Sequence, residues 1–119
     1  MTLTTSRPTG FQVLLDVHTV LGGPIGWAVH FGVMYWLAPR ACLWGASWPM
    51  HGVTALLVAA IAHALWLGVR KVRHARHIDD RRLASRELFL GWVGSAFSVF
   101  FLALTIAEWF PVLYLDPCM

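Results

Sequence analysis

Three apolar runs, at about residues 18–38, 51–69 and 88–110, decide most of what this chain can become. A helix needs about 20 consecutive apolar residues to cross the hydrocarbon core of a bilayer, and each run has that length. In a chain of 119 residues they leave no room for a separate soluble domain. Only 13% of the residues are charged, against roughly 25% in a soluble domain. The expected fold is therefore all-α, a single integral-membrane domain over residues 1–119 with three transmembrane helices.

The first run carries an interruption at Gly22-Gly23-Pro24. From Pro24 to Ala38 a helix rises only about 22 Å, too little for a crossing. The span is therefore extended back to about His18, with a kink or break at the Gly-Gly-Pro. Residues 11–21 have roughly helical spacing of apolar side chains and also suit a short interfacial helix before the span. Pro39-Arg40 is expected to end the first span, and Pro111 the third. Residues 1–10 are polar, contain Pro8 and Gly10, and read as a flexible tail. No cleavable signal peptide is expected, because no small-residue cleavage site follows a short apolar stretch.

Charge supplies an orientation. Of nine Lys and Arg residues, Arg70, Lys71, Arg73, Arg76, Arg81, Arg82 and Arg86 all fall in the basic segment 70–87, between the second and third runs. Positive charge concentrates on the cytoplasmic side of membrane proteins. Arg7 belongs with that segment, leaving Arg40 alone on the other side, so the expected topology is N-in, C-out. The aromatic residues agree. Tyr35, Trp36, Trp44, Trp48, Trp109 and Tyr114 gather toward the outer interface, and Trp66 and Trp92 toward the inner one. The excess positive charge is then explained by topology and by anionic lipid at residues 70–86, and no nucleic-acid partner is expected.

The polar residues within the spans are the candidates for function. Cys42 and Cys118 both fall on the outer, oxidising side. Free thiols, lipidation and metal binding are alternatives, but a disulfide is the expectation, since two cysteines there rarely stay free. His30 lies near the middle of the first span, on a face with Gly23, Gly26, Trp27, Met34 and Leu37. An ionisable group at that depth is a functional candidate. It could be an axial haem or chlorin ligand, or a neutral histidine bonded to a hydroxyl or carbonyl within a helix interface; the second is expected. His63 has a similar small-residue face with Gly52, Ala55, Ala59 and Ala60, but sits at a different depth from His30. His51 and His63 do not line one face of their helix. In the third span Gly91, Gly94, Ser95, Ser98, Thr105 and Glu108 form a small, polar packing stripe. Helix packing is assigned to Gly23, Gly26, Ala55, Ala59, Gly91 and Ser98. Glu108 is the one acid inside an apolar span, neutral or paired with Arg40 or His51, with a proton-pathway role as the less expected alternative. The loop residues His74, His77, Asp79 and Asp80 resemble a metal cluster, but their Arg-rich surroundings repel cations, so no metal site is assigned there. No phosphate loop, haem-attachment motif, zinc-protease motif or nucleophile elbow is present. No catalytic residue follows, and the chain is not expected to be an enzyme.

One pattern spans most of the chain: Gly23-Pro24, Trp27, His30-Phe31, Tyr35 and Cys42, with Trp109, Pro111 and Pro117-Cys118. It resembles a group of small bacterial three-span membrane proteins associated with aa3- and caa3-type haem–copper cytochrome c oxidases. The resemblance implies a non-catalytic accessory or assembly subunit of a respiratory complex in the bacterial inner membrane. Such a chain would dock on the oxidase core subunits, hold phospholipid at the contact and carry no cofactor of its own. The alternative reading is a haem b-binding membrane electron carrier that uses His30 and His63.

Overall fold

The fold is a computed structural model that describes residues 9–114 and Cys118. Helix α1 runs from Gly10 to Trp44, α2 from Trp48 to Ala75 and α3 from Arg81 to Tyr114, each packed against the other two. All three are long and apolar enough to cross a membrane. The chain is a multi-pass, all-α membrane protein built as a three-helix bundle.

Local sequence explains where the helices begin and end. Thr9 caps α1 reciprocally: its hydroxyl accepts from the Gln12 backbone N–H, and its own N–H donates to Gln12 Oε1, both at 3.2 Å. That satisfies two donors a helix start would otherwise leave open. At the other end Gly45 adopts φ 66°, and its N–H turns back to the Cys42 carbonyl. The left-handed conformation that closes the helix is one glycine adopts without a side-chain clash. Pro49 stands in the first turn of α2, where a missing N–H costs nothing. Asp80 accepts from the Arg82 backbone N–H at 3.0 Å beside the first turn of α3.

Several boundaries differ from those read in the sequence. α1 passes through Gly22-Gly23-Pro24 and Pro39 as one helix, so there is no separate interfacial helix and no stop at Pro39. α3 likewise continues through Pro111 to Tyr114. A proline removes one backbone bond. Leaving the helix in apolar surroundings would strand many more backbone groups, so the helix persists. The tail read over residues 1–10 ends at Thr9, and its first eight residues lie outside those described. The basic segment 70–87 is mostly helical, with only residues 76–80 joining α2 to α3. At 35, 28 and 34 residues, the helices measure about 52, 42 and 51 Å, longer than the hydrocarbon core of about 30 Å. Their ends therefore reach into the headgroups and water.

Small residues let the helices approach closely. A Cβ on Gly94 would come within 2.5 Å of the Thr19 carbonyl, and one on Gly23 within 3.0 Å of the Phe97 carbonyl. Gly68 and Gly91 face each other in the same way between α2 and α3, and Gly26 receives Ile61. Gly23, Gly91, Gly94 and Ser98 are buried in this seam. Ala55 and Ala59 are not: both are exposed, and α2 packs through Met50, Thr54, Ile61, Ala64 and Gly68. The buried core is thus poor in large side chains. Leu37, Ala41 and Met50 make a small apolar cluster near the α1–α2 turn. The bulky groups, including Phe31, Trp36, Leu56, Phe89, Trp92 and Phe100, point outward, as a bundle surrounded by lipid requires.

Candidate functional site

Three polar clusters occupy three levels of the bundle. At the basic end, Lys71 on α2 reaches Asp16 on α1 at 2.6 Å and Glu87 on α3 at 2.9 Å, and Arg86 approaches Asp16 at 3.6 Å. Asp16, Lys71 and Glu87 are each about four-fifths buried, so the cluster ties all three helices together. Lys71 therefore belongs to the interior of the bundle rather than to a lipid-facing basic loop.

The next level holds a histidine pair. His18 Nε2 lies 3.2 Å from His63 Nδ1, joining α1 to α2. The two rings stack with centroids 5.3 Å apart and an interplanar angle of 28°. Trp66, one turn along α2, stacks with His63 at a centroid distance of 5.8 Å, and the Arg70 guanidinium lies 5.3 Å from the Trp66 ring centre. His63 is exposed and His18 partly so, which leaves the pair reachable from outside the bundle.

The third level lies toward the α1–α2 turn. His30, 1% exposed, places Nε2 2.9 Å from the Thr54 hydroxyl and Nδ1 3.2 Å from Glu108 Oε2. Thr54 in turn donates to the Met50 carbonyl at 2.9 Å. The other carboxyl oxygen of Glu108 accepts from the Trp27 indole at 2.8 Å. Close by, the Trp109 indole donates to His51 Nδ1 at 2.9 Å.

These placements revise the pairings read in the sequence. Glu108 meets Trp27 and His30, not Arg40 or His51. Arg40 folds back on its own helix, donating to the Trp36 carbonyl at 2.9 Å with its guanidinium 3.8 Å from the Trp36 ring centre. His30 and His63 have separate partners, Thr54 and Glu108 for His30 and His18 for His63. The pair that does form uses His18, which sequence reasoning placed only at the start of a span. Its signal was available as a second histidine in the same half of the bundle as His63, but helical periodicity does not give the register between helices. Among the described residues no three His, Cys, Asp or Glu side chains gather as a metal site, the 74–80 segment included.

Beyond the third level, Cys42 and Cys118 are joined in a disulfide, with Cα atoms 5.2 Å apart. It links the end of α1 to the C-terminal segment, at the end of the bundle opposite the basic residues. No protein-family model, curated protein or solved structure matches this chain.

Proposed function

We propose that this protein binds a single transition-metal ion between His18 and His63 and presents it to a partner in the membrane. The observation that carries the reading is the 3.2 Å separation of two imidazole nitrogens from different helices. Two metal–nitrogen bonds of about 2.0–2.1 Å meeting at a tetrahedral angle hold their nitrogens about 3.3 Å apart. The pair therefore needs little movement to chelate one ion, once any proton between the nitrogens has left. Axial ligation of haem asks for nitrogens about 4 Å apart, on opposite faces of a flat macrocycle. Rings already stacked on each other suit a bare ion better.

Two histidines leave further coordination positions open, and no third protein ligand joins them among the described residues. A sealed structural site normally supplies four ligands. An open, reachable pair suits an ion that is handed on, with the other ligands coming from the receiving chain. This reading is compatible with the resemblance to oxidase-associated three-span proteins, since a haem–copper oxidase is a metal-requiring partner. The charge distribution and the disulfide support an orientation with the basic end in the cytoplasm and the Cys42–Cys118 end in an oxidising compartment. That is the arrangement of a bacterial inner-membrane protein. Arg73, Arg76, Arg81 and Arg82, all exposed, then meet anionic lipid headgroups.

The test is metal titration of the purified full chain in mild detergent, using Zn²⁺ and Cu⁺ against a chromophoric chelator. One equivalent should bind, His18→Ala and His63→Ala should each weaken binding at least tenfold, and a His74→Ala/His77→Ala double variant should bind normally. Binding that survives loss of His18 and of His63 would overturn the proposal. Haem addition distinguishes the alternative: a Soret band dependent on His63 would shift the assignment from ion to haem.

A further inference from the structure

The third polar level has a chemistry the metal reading does not use. The Thr54 hydroxyl has one hydrogen, and it goes to the Met50 carbonyl. Its oxygen is therefore left to accept from His30 Nε2, which fixes a proton on that nitrogen. The Trp27 indole can only donate, so Glu108 Oε1 is an acceptor. One undetermined position remains: the 3.2 Å gap between His30 Nδ1 and Glu108 Oε2.

That gap defines three charge states for the pair. With no proton in it, a carboxylate faces a neutral imidazole lone pair, and the net charge is −1. With one proton the pair is neutral overall, whether the proton sits on oxygen or nitrogen. With both atoms protonated the charge is +1. Of the three states only the one-proton state carries no net charge, which apolar surroundings penalise. His30 is sealed from outside, but the Glu108 side chain is 34% exposed. Any proton that enters or leaves must pass its outer edge.

The polar groups around the pair have partners of their own. On α2, His51 accepts from Trp109 through Nδ1, so as a neutral ring it carries its proton on Nε2. On α1, Arg40 is directed to the Trp36 carbonyl and ring. On α3, Trp109 beside Glu108 is not titratable. The ion cluster of Asp16, Lys71, Glu87 and Arg86 lies at the other end of the bundle.

We propose that His30 and Glu108 form a proton-binding site that exchanges one proton with the surroundings through the exposed edge of Glu108. In uptake, hydronium gives its proton to the carboxylate. The new O–H bond at Oε2 faces Nδ1, the proton is shared across that hydrogen bond, and the pair goes from −1 to neutral. Release reverses the step, with water or hydroxide taking the proton. No electrons move and no other reactant is needed.

The experiment uses the full chain in lipid nanodiscs, with ¹⁵N-labelled histidine and ¹³C-labelled glutamate carboxyl groups, titrated from acid to alkaline pH. NMR follows the ring nitrogens of His30, and infrared difference spectra follow the carboxyl of Glu108. The expected result is a single transition in which both signals change together while Nε2 stays protonated. Glu108→Gln keeps a hydrogen-bonding side chain of the same shape and should abolish the transition while the helical circular dichroism is retained. A His30 and Glu108 pair that never changes protonation across the range would overturn the proposal, as would a transition that persists in Glu108→Gln. If Glu108→Gln fails to fold, Thr54→Val serves instead. In that variant the His30 nitrogen and Glu108 carboxyl signals should still change together, and two separate transitions would refute the site.

Discussion

At the scale of single residues, the bundle's stability depends on polar groups having their partners. Glu108→Ala would leave the Trp27 indole N–H and His30 Nδ1 without their acceptor and neighbour. Each buried group left unpaired costs about 1–3 kcal/mol. Detergent unfolding should therefore show a loss of roughly 2–4 kcal/mol for this variant, and a clearly smaller loss for Glu108→Gln. Equal losses in the two variants would mean that the hydrogen bonds contribute little. The importance of His30 and Glu108 was legible in the sequence, because both are ionisable groups inside apolar runs. Their pairing was not. Taking Pro39 as the end of α1 put Arg40 level with Glu108, whereas the helix continues to Trp44. Arg40 then stands beyond that level and turns back on Trp36.

At the scale of the helices, small residues set the distances and one lysine fastens the basic end. Gly94→Ala forces a methyl group against the Thr19 backbone, which cannot rotate away. Overpacking of that kind costs about 1–3 kcal/mol, to be read as a lower unfolding midpoint. Gly32→Ala, which meets nothing within 4 Å, should leave the midpoint unchanged. Lys71→Met leaves Asp16 and Glu87 largely buried without their shared cation. It should destabilise by roughly 2–4 kcal/mol, and adding Asp16→Asn should restore part of the loss. Additive losses in the double variant would count against a shared cluster. The seam on α1 and α3 follows from glycine and serine spacing, which periodicity reveals. The α2 face does not follow from its alanines, because they lie on more than one side: Ala55 and Ala59 look outward while Ala64 is buried. Alanine is small enough to pack and apolar enough to meet lipid, so it does not identify a face.

At the scale of the whole molecule, the number of spans and the expected cysteine pairing were both readable, because bilayer thickness and redox compartment constrain them strongly. The register between helices was not, and the histidine pair depends on it. The disulfide joins residues 76 apart in sequence. Chain-entropy reasoning for a loop of that length in water gives about 4.5 kcal/mol. Reduction should lower stability by less, because a bilayer already confines the unfolded helices; a thermal scan with and without reductant measures the difference. The bond also closes residues 42–118 into a covalent ring that holds α2, α3 and the turn between them, with α1 attached as a tail. Cutting the backbone at the arginine-bearing turn, at Arg76 or Arg81, would open this ring without detaching anything. Trypsin-treated protein should run as one species without reductant and as two fragments with it. In sealed vesicles the cut should appear from one side of the membrane only, so a single gel reports both the closed path of the chain and the direction in which it faces.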